Sequence, residues 1–239
     1  MNLTLLTIIL GLFISIPVYS QKDPIILEGY AQGTTYHITY FDKKNRDFQP
    51  KIDSILEDFD KSVSTYLPSS IISRINSNEK NVIVDKYFIA CFNKAKEVWK
   101  NTNGAFDPTV YPLVNAWGFG PGKKEKIDKH KIDSILKFVG FNLIKLKGNK
   151  VVKKDPRVAL DFNAFAQGYS VDVVSEFLNL NGISSYIVEI GGEVYAKGLD
   201  ANGNNWLIGI EKPIDNKETD NPLKAIVKLD NMAVATSGN

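Results

Sequence analysis

The stretch from Leu160 to Gly198, LDFNAFAQGYSVDVVSEFLNLNGISSYIVEIGGEVYAKG, decides how the rest of the chain is read. It predicts a strand ending at Asp161, a tight polar turn, one amphipathic helix, and a two-stranded unit folded at Gly191-Gly192. An acid at a strand end, just before a helix, suits two roles. It can cap the helix, as in many α/β proteins, or it can face a ligand. In the second role the turn brings backbone carbonyls close to a phosphate or a metal. The helix N-terminus then adds unpaired N–H groups and a partial positive charge. The pattern alone leaves both roles open.

Working outward, two alternating apolar runs, 25–30 and 35–41, predict a hairpin around Gln32-Gly33. Ile52, Ile55, Leu56 and Phe59 fall at helical spacing in a segment 50–62, with Pro50 suited to the first turn. Leu67-Pro68-Ser69-Ser70 reads as a loop. A second helix is expected over 86–100, with Phe88, Cys91, Phe92, Ala95, Val98 and Trp99 inward, ending before Asn103-Gly104. The run 108–122 is rich in Pro, Gly and aromatics and reads as an ordered loop, because Tyr111, Leu113, Trp117 and Phe119 call for burial. A charged patch, 123–131, leads into a short helix stopped by Gly140. A hairpin is expected from 143–147 and 150–153 around Gly148-Asn149, and further strands near 206–210, 225–229 and 232–235. The polar, Pro-flanked 213–222 reads as an exposed loop. With no internal repeat, these elements make one α+β domain of mostly antiparallel β-sheet with packed helices.

The first twenty residues carry no charged side chain and a long apolar run, and read as a signal peptide cleaved after Val18-Tyr19-Ser20. Gly11, Ser15 and Pro17 interrupt the run, which argues against the rival reading of an uncleaved anchor. The domain is then 21–239, in a protein exported to the periplasm, with inner-membrane association as a variant. With 29 basic against 27 acidic residues and a net charge of +2, nucleic acid is not an expected partner. The single cysteine, Cys91, rules out an internal disulfide and shares a helical face with Phe88, Ala95 and Val98, which marks it as packing.

The chain lacks a P-loop, a G-x-G-x-x-G after a strand, and a G-x-S-x-G. His37 and His130 have no partner at ligand spacing, so a zinc site is not expected. What remains is a set of carboxylates with hydroxyl and aromatic companions: Asp107, Asp161, Asp172, Tyr66 and Thr109. Oxygen-rich sets of this kind suit Mg²⁺, which keeps waters and shares phosphate oxygens with its substrate. Tyr66 and Phe106 could stack on a flavin or adenine ring. Each has a plainer reading: Asp107 before Pro108 as a turn former, Tyr66 as core.

The order of several segments carries more. Gln32-Gly33-Thr34-Thr35-Tyr36 is followed by STYLPSSIISRIN (64–76), then NGAFDPTV (103–110) running on to Trp117-Gly118-Phe119-Gly120-Pro121. The stretch from Asp161 follows, then WLIGIEKP (206–213) and AVATSGN (233–239). This succession resembles the FAD:protein FMN transferases, the ApbE-type flavin transferases, over nearly all of the chain after the leader. The resemblance implies an ApbE-like, T-fold-like architecture and Mg²⁺-dependent transfer of FMN from FAD to a Thr or Ser hydroxyl of an acceptor protein, with release of AMP. It implies acceptors among the flavin-carrying subunits of membrane redox complexes of the NADH:quinone reductase type. By the same matching, Gln32, Tyr66, Ala105, Phe106, Asp107, Asp161 and Gln167 fall on flavin-dinucleotide contacts. Ala164, three residues after Asp161, would give a metal ligand through its backbone carbonyl, and Asp161 is the catalytic candidate.

Three departures qualify the match. Gln167 stands where a Lys is often found, which removes a positive charge from the phosphate region. Asn163-Ala164 replaces a common pair of glycines. The H-x-x-D-P-x-T-G segment of family members, and the Asp and Thr that complete their metal site, are not in this sequence, so a C-terminally truncated domain is expected. Two further readings remain open: FAD hydrolysis to FMN and AMP at the same site, and a periplasmic flavin-binding protein without catalysis.

Overall fold

A computed structural model describes residues 23–122, 125–212 and 223–237. The leader, 1–20, and the loop expected at 213–222 lie outside the described residues. The central sheet has five strands in the order β1 (Ile25–Ala31), β2 (Thr34–Tyr40), β5 (Tyr186–Ile190), β6 (Glu193–Lys197) and β9 (Met232–Val234), every pair antiparallel. Two hairpins stand apart from it: β3 (Ile144–Lys147) with β4 (Lys150–Lys153), and β7 (Trp206–Glu211) with β8 (Leu223–Leu229). The α+β reading holds, and so do the three hairpins expected from alternation and turn residues.

Period-two patterning explains the layering. Tyr36, Ile38 and Tyr40 on β2 pair with Ile190, Val188 and Tyr186 on β5, and all six are fully buried on one face. Two helices cover that face, α1 (Gln49–Val63) through Ile52 and Leu56, and α6 (Asn163–Leu180) through Val171, Val174 and Leu178. The opposite face, at Val194 and Ala196 of β6, is covered by the β7–β8 hairpin through Trp206, Ile208, Val227 and Leu229. A second core lies beyond α1 and α6. There α2 (Ile71–Asn76), α3 (Lys86–Asn101) and the β3–β4 hairpin pack around Phe88, Phe92, Phe141, Leu160 and Phe162. The helix α6 is wedged between these cores, so it buries two apolar stripes rather than the single stripe expected of an amphipathic helix.

Several local expectations change. The segment around Ser70 is not all loop: Ser70 caps α2, its side chain accepting from the Ser73 N–H at 3.1 Å. The run 108–122 contains a short helix, α4 (Tyr111–Ala116), entered through Pro112. Trp117 and Phe119 are 38 % and 76 % exposed, against the expectation of burial. No strand ends at Asp161; Ala159 makes only an isolated parallel bridge with Val110. The remaining helices follow the sequence. Asp85 caps α3, accepting from Phe88 N–H at 2.9 Å, and Asp128 caps α5 (Lys129–Leu136). Cys91 is buried as expected, and burial pushes its thiol pKa up to about 12.

The loop from β2 to α1 is locked by one buried carboxylate. Asp42 accepts from the backbone N–H groups of Lys44 and Arg46 and from the Arg46 guanidinium at 2.7 and 3.1 Å. Arg46 in turn donates to the Asn181 carbonyl at the end of α6 (2.9 Å). The guanidinium bonds hold the Asp42 carboxyl well below the usual carboxylate range. Asp42→Ala is therefore expected to cost about 3 kcal/mol, the scale for breaking a mostly buried pair. Because the folded pKa is depressed, this contribution is complete above the ordinary carboxylate value and lost as pH falls through the folded one. Urea unfolding should show a wild-type-to-variant gap at neutral pH that narrows in acid.

Candidate functional site

The segment that leads into α6 is extended and buried, with Val158, Leu160 and Phe162 fully inside. A buried backbone must have its hydrogen bonds met, and no sheet meets them here. The side chain of Asn76, the last residue of α2, substitutes for a neighbouring strand. Its Oδ1 accepts from the Leu160 N–H and its Nδ2 donates to the Leu160 carbonyl, both at 2.8 Å. An amide carries one acceptor and one donor group side by side, which is what an opposing peptide would present. The next residue is fixed by the Asp161 N–H donating to the Pro108 carbonyl at 2.7 Å. The Asp161 side chain is thus placed from two directions.

Asp161 Oδ1 accepts from the Asn163 N–H at 2.7 Å, so the capping role is real. Its carboxyl pKa is nevertheless raised by burial, only partly offset by that bond. The N-cap position itself is Phe162, and no side chain caps α6 there. An 18-residue helix therefore begins beside a desolvated acid that takes the first of its N–H groups. Such an end favours an anion.

Two concavities meet at this point. The larger, about 480 Å³, is lined by Gln32, Asp60, Tyr66, Asn163 and Gln167 among others. The smaller, about 320 Å³, is lined by Ala105, Phe106, Asp107, Asp161, Asn163 and Ala164. Asn163 borders both and is tied across the gap, its Nδ2 donating to Thr65 Oγ1 at 3.2 Å. The residues that the resemblance placed on the flavin dinucleotide and the metal are therefore gathered around one helix start, but in two groups. Gln32, Tyr66 and Gln167 lie on one side and the Ala105-Phe106-Asp107 triplet, Asp161 and Ala164 on the other. Asp172 lines neither; it lies farther along α6.

The individual side chains sort further. Tyr66 is 60 % exposed, so it is not core, and its hydroxyl donates to the Phe119 carbonyl at 3.0 Å. That bond fixes an open aromatic ring at the mouth of the larger cleft, with the exposed Phe119 beside it. Asp107 is committed as a turn former. Its Oδ1 accepts from the Thr109 N–H and hydroxyl (2.8 and 2.6 Å) and its Oδ2 from the Phe141 N–H (2.9 Å). Gln32 sits at the β1–β2 turn with φ 55°, and its Nε2 is buried without a partner. The Ser170 hydroxyl, which donates to the Gln167 carbonyl at 2.6 Å, lies 3.3 Å from Gln32 Oε1. Gly191, at φ 56°, lies in the left-handed region that favours glycine, and a Cβ there would also press on the Gln167 amide and the Thr34 methyl.

None of the residues lining either cleft is basic, whereas Asp60, Asp107 and Asp161 are acidic. Burial also raises the Asp60 pKa, opposed by a hydrogen bond from the Gln32 backbone. A phosphate-bearing ligand in such a place needs a cation beside it. Among the described residues no group of three or more His, Cys, Asp or Glu could hold a metal by itself. Asp161 and Ala164 both line one cleft, the first with a carboxylate and the second with a backbone carbonyl as its sole oxygen. A helical carbonyl keeps a second lone pair, so Ala164 can serve both helix and cation. This set fits an ion that completes its shell with waters and substrate phosphates, as Mg²⁺ does.

Asn76 and Asp60 were not singled out in the sequence. Asn76 ends the run STYLPSSIISRIN quoted above, but its pairing with Leu160 spans 84 residues and leaves no local signal. Asp60 lies on α1 one helical turn after Leu56, where it reads as an ordinary polar face.

Comparison with known proteins supplies a family for this fold. The family model described as the ApbE family matches residues 32–239. The chain is 33 % identical over 225 residues to a FAD:protein FMN transferase of Vibrio cholerae, covering 91 % of this chain and 66 % of the relative. It is 36 % identical over 235 residues to one of Haemophilus influenzae, covering 92 % and 67 %. The chain thus spans about two thirds of the length of these curated relatives. Among solved structures, the flavin transferase ApbE from Vibrio cholerae superposes with a TM-score of 0.81 at 34 % identity, covering 91 % of this chain and 72 % of that one. The apo form of the Pseudomonas stutzeri flavinyl transferase ApbE gives 0.80 at 31 %, covering 92 % and 72 %. With the match running from the β1–β2 turn through the helix start that gathers the site, the chain belongs to the ApbE family.

Proposed function

We propose that this chain transfers FMN from FAD to a Thr or Ser hydroxyl of an acceptor protein and releases AMP. The observation that carries the reading is the pair of clefts joined across Asn163 at the start of α6. A dinucleotide needs two ring sites flanking one diphosphate site, and the helix start lies between the two clefts. The open Tyr66 ring suits stacking on one ring system, and Phe106, 6.1 Å from Phe165 centroid to centroid, lines the other side. The names of the curated relatives support the same chemistry.

In the reaction the acceptor hydroxyl oxygen bonds to the FMN phosphorus while the P–O bond to AMP breaks. The AMP phosphate takes the electron pair, and the hydroxyl proton passes to a carboxylate. Asp161, the desolvated acid at the helix start, is the candidate for that proton. The Ala164 carbonyl and the diphosphate would hold Mg²⁺ beside Asp161, and the ion would neutralise charge that no basic side chain of the clefts can meet. On the strength of the leader, the reaction takes place after export, with membrane redox subunits as acceptors. Incubation with FAD, Mg²⁺ and an acceptor domain, followed by mass spectrometry, tests the reading. An FMN-sized gain on the acceptor with equimolar AMP supports it. FMN and AMP free in solution, with an unmodified acceptor, would replace it with hydrolysis.

Two variants probe the parts. Asp161→Asn keeps the acceptor for the Asn163 N–H but removes the desolvated charge. Mg²⁺-dependent FAD binding should fall roughly a hundredfold, while the thermal midpoint without ligand stays equal or rises. In the wild type that binding should weaken with acid from a pH above the ordinary carboxylate value, because burial raises this pKa. Titrating flavin fluorescence against pH checks both. Asn76→Ala strands a buried N–H and carbonyl at Leu160, at a cost of about 2–3 kcal/mol. It should also weaken FAD binding about tenfold, although Asn76 lines neither cleft.

A further inference from the structure

The chain carries a net charge of only +2, yet residues 144–154, IKLKGNKVVKK, hold five lysines and no acid. These residues build the β3–β4 hairpin and the step after it. Register divides them between faces. Ile144, Leu146 and Val151 turn inward to the core, and the half-buried Lys153 is held inside by the Ile75 and Pro156 carbonyls at 3.0 and 3.2 Å. Lys145, Lys147, Lys150 and Val152 share the outer face. Lys147 and Lys150 stand directly opposite each other across the turn, a like-charge pair that works against the hairpin.

None of these lysines has a carboxylate partner among the described residues, whereas Lys61, Lys94, Lys129 and Lys131 on the helices each do. One exposed aliphatic lies among them, and a second sits on the neighbouring segment. Val152, opposite Lys145, is 39 % exposed. Ile83 is 49 % exposed and is held beside the hairpin turn by its neighbour Val84, whose N–H donates to the Asn149 carbonyl at 2.9 Å.

We propose that this outer hairpin face is a docking surface for an anionic lipid bilayer. Its charge is complementary to such a surface, and the destabilising Lys147–Lys150 pair would be relieved there. The face uses lysine alone, without arginine. Lysine is a mobile point charge suited to a diffuse field of headgroups, whereas the planar fork of arginine suits fixed recognition of one carboxylate. Aliphatic tips between ammonium groups match the boundary where headgroups meet acyl chains. None of these residues lines the two clefts, so the inference does not depend on the proposed reaction.

The test uses the whole chain and measures its partition onto phosphatidylglycerol-containing vesicles against phosphatidylcholine vesicles. Leader residues 1–20 would favour neither lipid, so the ratio is the quantity read. Wild type should prefer the anionic vesicles, and the preference should collapse in raised salt. K145E/K147E/K150E should lower anionic-vesicle binding roughly a hundredfold, about fivefold for each lysine lost, with FAD binding and thermal midpoint unchanged. If that reversal unfolds the protein, K145Q/K147Q/K150Q replaces it. I83S/V152S should weaken binding without altering its salt dependence. A wild type that binds both vesicles alike, or a folded lysine variant that keeps the preference, overturns the proposal; so does a hairpin that captures only an acidic protein.

Discussion

The structure depends on how one buried stretch of backbone, Leu160-Asp161, finds hydrogen-bond partners without a sheet beside it. Asn76 meets both polar groups of Leu160 and Pro108 meets the N–H of Asp161. From that point the dependence spreads. Asn76 ends α2, whose cap Ser70 donates its hydroxyl to the Ser64 carbonyl at 2.7 Å. Two residues on from Ser64, Tyr66 opens onto the larger cleft, while Thr65 accepts from Asn163. On the other side Pro108 follows Asp107, whose carboxylate ties its own turn to Phe141. Both cleft walls and the helix start are therefore referred to the same two residues.

That arrangement separates stability from function in an informative way. Asp42, equally acidic, is paired and hydrogen-bonded, and its carboxyl is held low. Among the described residues Asp60 and Asp161 are desolvated without a basic partner, and theirs are held high. Uncompensated acids of this kind work against folding and persist where a ligand or cation completes them. Burial raises Asp172 and Glu193 in the same way outside the clefts, so what sets Asp60 and Asp161 apart is their place on the cleft walls.

Much of the fold was legible because its signals are local. Alternation at Tyr36, Ile38 and Tyr40, helical spacing from Ile52 to Phe59, and the glycines at 148 and 191 each act within a few residues. The expected strand at Asp161 failed for the opposite reason. Its apolar run is buried by Phe88 and Phe162, but its hydrogen bonds go to a side chain 84 residues away, and sequence pattern registers burial better than pairing. Trp117 and Phe119 read as core because large aromatics usually are, yet Phe119 stands open beside Tyr66 at the cleft mouth. The site residues themselves came from ordered resemblance rather than pattern. Their division between two clefts, and the commitment of the Asp107 side chain to its own turn, needed coordinates.

The measurement that tests the central claim most directly is native-state amide hydrogen exchange at Leu160 and Asp161. If Asn76 and Pro108 replace a sheet, these two amides should exchange as slowly as those of Ile38 and Val188 in the central sheet. They should lose that protection selectively in Asn76→Ala. Exchange at the rate of the exposed turns, in a protein whose sheet amides remain protected, would contradict the account.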